Sequence, residues 1–202
     1  MRTTARIRST TLRLAAACGV VLLAAGCSAI MPTPSVDTYD LARPAVARAA
    51  SGRTLQVLVP EPAADRAVDT DRIVVRPSAT EIAYFSGAQW ADRLPRLVQS
   101  RLVDVLQASG RFRAAGRPGQ GLAIDRQVVT EIRAFDYEAS AHRVVIALSV
   151  KLMDDRSGRV IAAEAFRAEE PSGDDPKSAV AAFDRAQSRL LPEIVAWVAK
   201  RG

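Results

Sequence analysis

One histidine, His142, and two cysteines, Cys18 and Cys27, are the side chains here that could shuttle protons or attack as thiolates near neutral pH. His142 lies between Ala141 and Arg143, with no second histidine and no neighbouring cysteine to complete a metal site. No Gly-x-Ser-x-Gly elbow accompanies it, so it reads as a surface turn residue. The run GRPGQG (Gly116 to Gly121) imitates a phosphate loop but lacks the Lys-Ser/Thr that must follow, and Pro118 removes an N–H that such a cradle uses. The acidic pairs Asp154-Asp155, Glu169-Glu170 and Asp174-Asp175 each stand beside a Gly or Pro turn and read as solvated loop ends, with Asp174 or Asp175 suited to capping a helix. Arg93, Arg96 and Arg101 stud one segment, and Arg111, Arg113 and Arg117 follow it. They offer a basic face to lipid headgroups or an acidic partner, unless they form only a solvated helix face. Tyr84 and Trp90 are large aromatics at a strand-to-helix junction, suited either to a partner or acyl-chain contact or to core packing. No catalytic residue, metal ligand or cofactor site emerges from these residues.

Cys27 is different because of what precedes it. Arg2, Arg6, Arg8 and Arg13 carry positive charge with no acidic companion, and Leu14 to Ala25 is an apolar run of about a dozen residues. A bilayer-spanning helix needs roughly 20, so residues 1–26 read as a secretion signal. The small residues Ala25 and Gly26 directly before Cys27 resemble the lipobox of bacterial lipoproteins, with cleavage between Gly26 and Cys27. The pattern departs from the usual one at Ala24, where leucine is commoner; Leu23 stands one place earlier. The resemblance implies a diacylglycerol thioether and an N-acyl chain on Cys27, and Ser28 in place of aspartate implies the outer membrane. Two or more acyl chains anchor a protein stably where one holds only marginally. The leader also explains the charge. The chain is +6 overall, with 28 basic and 22 acidic residues, but removing the four leader arginines leaves 24 against 22. A near-neutral body with 5% aromatic residues excludes a dedicated nucleic-acid binder.

With 202 residues, 49% apolar and 25% charged, the remainder suits one globular domain. Residues 27–53, rich in Ala, Pro and Ser, read as a tether reaching about 90 Å extended or about 30 Å as a coil. Tyr39-Asp40-Leu41 interrupts that composition and suits docking on the body. Within 54–202, Leu55–Pro62, Asp71–Pro77 and Glu81–Phe85 are strand-like. Leu94, Leu97, Val98, Leu102, Val105 and Leu106 form one helical stripe, with Asp92 as N-cap, Pro95 in the first turn and Gly110 as the stop. Ile124–Tyr137 is a strand whose parity switches between Ile132 and Phe135, predicting a bulge. Val144 to Leu152 alternates strictly, and Asp154–Gly158 is a turn leading into Val160–Arg167. Val180, Phe183, Leu190, Leu191, Ile194 and Val198 share a closing helix, which Pro192 should bend. The expected fold is α+β: a two-layer sandwich of a mixed, mostly antiparallel sheet with two long helices on one face.

Asp69-Thr70-Asp71-Arg72-Ile73-Val74, Tyr84-Phe85, Trp90-Ala91-Asp92 and the helix ending Ser109-Gly110-Arg111-Phe112 resemble the ABC-type transport auxiliary lipoprotein family. Tyr39-x-Leu41 fits near the tether, and Phe183, Ile194 and Trp197 fit the closing helix, so the likeness spans Tyr39 to Ala199. The family includes the lipoprotein of the paraquat-inducible operon. The resemblance implies a non-enzymatic outer-membrane lipoprotein facing the periplasm, auxiliary to an ABC permease and ATPase that move lipid with a mammalian-cell-entry (MCE) domain protein. It carries over no catalytic residue, and it leaves self-association open. The rival expectations are an accessory lipoprotein of another envelope machine, of lipopolysaccharide-export or Tol type, and a lipid-anchored hydrolase.

Overall fold

The computed structural model describes residues 35–49, 55–121 and 123–202, and the elements below lie in one unit, Val36–Gly202. In chain order they are β1 (Asp37–Tyr39), β2 (Gln56–Leu58), β3 (Ala63–Ala64), β4 (Arg72–Arg76), β5 (Ala83–Trp90), α1 (Leu94–Ala108), β6 (Ala114–Gly116), β7 (Arg126–Glu138), β8 (Arg143–Asp154), β9 (Val160–Pro171) and α2 (Pro176–Arg201). They form a mixed sheet with two helices, an α+β fold.

The spine is β7. Along one edge it pairs antiparallel with β8 over its whole length, and β8 pairs antiparallel with β9. Along its other edge three short strands follow one another in parallel, with Val57 opposite Arg126, Ala63 opposite Glu131 and Val74 opposite Asp136. Residues 56–76 therefore act as one interrupted strand. Pro60 and Pro62 lie between its first two pieces, where a missing N–H ends ladder pairing. The long strands are antiparallel, as expected; the parallel pairings, including β1 with β5 and β2 with β6, are all between segments of two to five residues or their partners. The predicted bulge lies in β7 between Ile132 and Ala134. It returns Phe135 and Tyr137 to the buried face that Val128 and Ile132 occupy.

Both helices cover that face. The alternation of β8 sends Val144, Ile146, Leu148, Val150 and Leu152 inward. Phe135, Ile146 and Leu148 meet Val98 of α1 and Leu190 and Leu191 of α2 around a cavity of about 10 Å³, room for about one water. At the centre Phe135 stacks on Phe183 (4.6 Å), and Trp90 meets both edge-on at 6.0 and 5.7 Å. Each such ring removed from water stabilises the fold by roughly 1.5–3 kcal/mol.

The helix ends follow local chemistry. α1 has Pro95 in its first turn, and its N-cap is Arg93 with no side-chain bond. Asp92, expected as the cap, instead accepts the N–H of Arg93 (2.7 Å), one residue too early to reach the helix's free donors. Beyond α1, Gly110 takes φ 63°, the left-handed conformation that glycine adopts without strain. In α2 Asp175 is the cap, accepting from the Ser178 N–H at 3.0 Å. The helix then runs through Pro192 without a break for 26 residues, about 39 Å.

Candidate functional site

Gly26 and Cys27, with the whole leader, lie outside the described residues. What can be described is how the chain that follows Cys27 enters the domain. From Val36 the segment belongs to the folded unit. β1 pairs in parallel with β5, Asp37 opposite Ala88 and Tyr39 opposite Trp90, and the Ala91 N–H donates to the Tyr39 carbonyl (2.7 Å). Leu41 is 2% exposed.

Polar bonds then stitch the segment to both helices. Arg101 of α1, its side chain only 6% exposed, donates through Nη2 to both Asp40 oxygens (2.9 and 2.8 Å) and through Nε to the Leu41 carbonyl (2.7 Å). Its Nη1 donates to Asp104 (3.0 Å), which also pairs with Arg43. A guanidinium this deeply placed needs such partners, because burying a charge without them is costly. From α2, Asp184 accepts the Ala42 N–H (2.8 Å) while Gln187 donates to the Ala42 carbonyl (3.0 Å). Burial pushes the Asp184 carboxyl up, partly offset by the bonds from Ala42 and Gln187. Farther on, the Ala49 N–H donates to the Ser109 carbonyl (2.8 Å), and a Cβ on Gly110 would sit 3.0 Å from Cγ of Arg48. Sequence reasoning found this junction only through Tyr39-Asp40-Leu41. The partners Arg101, Asp184 and Gln187 carried no signal, since each is an ordinary polar residue in a helical pattern.

Trp90 falls on the packing side of its two expected readings: it is 1% exposed and buried among Phe135 and Phe183. Tyr84 is half-buried, its hydroxyl donating to the Ala67 carbonyl (3.3 Å) and its ring lying under the Arg72 guanidinium (3.6 Å). His142 is in a turn with φ 47° and lies 2.6 Å from Asp174. Asp174 also accepts the Tyr137 hydroxyl. Burial first, then that carboxylate, pushes Tyr137 up to about 12, while the Tyr137 hydroxyl and then His142 hold Asp174 down. A histidine oriented by a carboxylate is part of a hydrolytic triad, but the nearby Ser172 hydroxyl donates to the Gly173 carbonyl (2.8 Å). Among the described residues no group of three potential metal ligands gathers.

The arginines divide. Arg93 pairs with Glu61 and Asp69, Arg96 with Glu61 and Asp92, and Arg101 with Asp40 and Asp104, so carboxylates drawn mostly from neighbouring segments neutralise the α1 face. Arg117 closes the glycine-rich turn: its N–H donates to Gln120 (2.9 Å) and its guanidinium to Ser100 (2.8 Å). The acidic pairs are engaged locally: Asp154 holds the Ser157 N–H, Asp155 accepts from Gln127, and Glu169 and Glu170 pair with arginines.

Comparison with known proteins completes the site. The family described as the ABC-type transport auxiliary lipoprotein component matches residues 39–195. An uncharacterized protein of Bradyrhizobium diazoefficiens is 32% identical over 163 residues, covering 79% of this chain and 44% of that protein. The match thus spans less than half of that relative's length. Among solved structures, one from Xanthomonas campestris is 28% identical with a TM-score of 0.73, covering 82% of this chain and 96% of that one. A second, of an uncharacterized protein, has a TM-score of 0.62 at 17% identity over 82% of this chain and 97% of that one, a likeness of fold alone.

Proposed function

We propose a function from one premise: this chain belongs to the ABC-type transport auxiliary lipoprotein family. The protein is the accessory, docking subunit of an MCE-type ABC transporter that moves lipid across the envelope. It is held by acyl chains on Cys27 at the periplasmic face of the outer membrane. Its role is positional and not catalytic. Confinement at a membrane surface raises its effective concentration toward a membrane-bound partner without any new contact.

The observation that carries this reading is the junction at Val36–Ala49. Eight residues, Ser28–Ser35, lie between Cys27 and the folded unit. They span at most about 30 Å and about 16 Å as a coil, against the about 90 Å that a tether to Arg53 would allow. The body is therefore kept close to its bilayer, and a partner must come to it. The bonds from Arg101, Asp184 and Gln187 carry any pull on the anchor into both helices.

Chemical crosslinking in native membranes, followed by purification of the acylated protein, tests the assignment. Recovery of an MCE-domain protein together with the permease or ATPase is the expected result. Recovery of a lipopolysaccharide-export or Tol component in their place overturns it.

A further inference from the structure

Six arginines that share no ion pair among the described residues stand at one end of the domain, which we call the foot, where α2 terminates. Bonds between neighbouring segments place the residues. The Ala49 bond to Ser109 sets Arg48 against Gly110, with Arg111 one residue on. The Arg113 N–H donates to the Leu55 carbonyl (2.9 Å), and Leu55 lies against Gly202, which also neighbours Leu152. Beyond Leu152, the Asp154 N–H bond to the Arg159 carbonyl (2.9 Å) closes the turn that carries Arg156. Arg201 lies over Trp197 in the last turn of α2.

None of Arg48, Arg111, Arg113, Arg156, Arg159 and Arg201 shares an ion pair among the described residues, and all but the half-buried Arg111 are exposed. Three carboxylates share that end: Asp154 pairs with Arg126, while Asp125 and Asp155, hydrogen-bonded to the Gln56 N–H and the Gln127 amide, keep their charge and leave the six arginines in excess. Val160, beside Arg159, is 48% exposed. The opposite end is acidic where the chain enters: Asp37 and the cap Asp175 both face Tyr39 and push its hydroxyl up, after burial. The foot thus carries excess positive charge about 39 Å along α2 from the cap Asp175.

We infer that the foot is a docking site for an anionic phospholipid surface. The six arginines stand on four separate pieces of chain: the entering segment, the α1–β6 turn, the β8–β9 turn and the C-terminus. The pocket at that end, lined by Ile124, Asp125, Arg126, Asp154 and Arg156, takes in only one of the six. A protein partner would be recognised through buried aromatic anchors, whereas a plane of anionic headgroups asks only for charge of one sign and tolerates a shallow apolar contact such as Val160. Each basic side chain at such a surface strengthens binding about fivefold. This lipid binding does not depend on the anchor proposed above.

The test uses the chain from Ser28 onward, without acyl groups, sedimented with vesicles of phosphatidylethanolamine and phosphatidylglycerol or of phosphatidylcholine alone. Binding to the phosphatidylglycerol vesicles, lost at high salt and absent with phosphatidylcholine, is expected. The exposed triple variant Arg113→Glu, Arg156→Glu, Arg159→Glu should weaken it at least about a hundredfold. The variant Arg66→Glu, Arg133→Glu, Lys177→Glu, with the same change in net charge away from the foot, should keep most of it. Circular dichroism checks that both fold; the milder pair Arg156→Gln, Arg159→Gln, expected to weaken binding about 25-fold, replaces a triple that does not. Equal binding to both vesicle types, or equal loss in both triple variants, overturns the inference. So does an absence of vesicle binding combined with loss of the transporter partner in the foot variant, which assigns the foot to an acidic protein.

Discussion

Replacing Asp40 by alanine should loosen the entering segment without unfolding the domain. The substitution removes two charge-assisted bonds, at 2.9 and 2.8 Å, from a guanidinium whose side chain is 6% exposed, and leaves Arg101 its bonds to Leu41 and Asp104. A hydrogen bond to a charged group contributes about 1.5–3 kcal/mol when buried. Asp40 is 57% exposed, so solvent screening lowers the expected loss to about 1–2 kcal/mol. Arg101→Met removes the cation while keeping an apolar stem in its place, and costs a similar amount through the orphaned Leu41 carbonyl. In a double-mutant cycle the two should couple by about 1 kcal/mol, because each loss contains the same pair. Urea denaturation gives the three differences, and a fall in midpoint at unchanged slope is expected. Limited trypsin digestion gives the local effect: cleavage after Arg48 should accelerate in Asp40→Ala before the core is attacked. Additive losses, with a coupling below about 0.3 kcal/mol, would refute the view that the pair stitches the segment down.

Three further outcomes follow from the same geometry. Phe183→Ala, at the stacked centre with Phe135 and Trp90, should cost about 3–5 kcal/mol in thermal or chemical denaturation, since the ring is fully buried and the rigid sheet cannot close the gap. Arg76→Ala should cost about 3–5 kcal/mol at neutral pH by leaving Asp136, 1% exposed and 2.6 Å from Arg76, as an uncompensated buried charge. Burial already raises the Asp136 carboxyl, so its folded form favours the proton; the variant should therefore recover stability as pH falls toward 3.8 and lose it as pH rises. Asp175→Ala should lower the melting temperature at neutral pH by removing the cap of α2. Ser178 holds that carboxyl below its usual range, so its contribution is present above pH 3.8 and lost below, and the two melting curves should converge in acid.

Long elements were legible in the sequence because their periodicity repeats. Five alternating residues from Val144 to Leu152 define β8, and the parity switch after Ile132 revealed the β7 bulge. The α1 stripe was equally plain. β1, β3 and β6 were not, since two or three residues cannot display a period and their pairing is set by neighbours distant in sequence. The cap of α1 was misplaced because Asp92 has the right chemistry one residue too far from the helix. The junction was half visible. An Ala-Pro-Ser composition suggested tether as far as Arg53, while the part-buried contact of Arg101 with Asp40 links residues 61 apart and left no local mark. Charge was the least legible property: six arginines around and after α1 looked alike in sequence, yet Glu61, Asp69 and Asp104 neutralise some, while Arg111 and Arg113 share no ion pair among the described residues.

An acyl-modified Cys27 is the point on which the functional account turns, and intact mass spectrometry of the processed protein extracted from membranes reads it directly. The account predicts a chain beginning at Cys27 with the added mass of a diacylglycerol and an N-acyl group, and a Cys27→Ser variant recovered outside the membrane fraction. A mature chain lacking that mass and found soluble in the periplasm would contradict it.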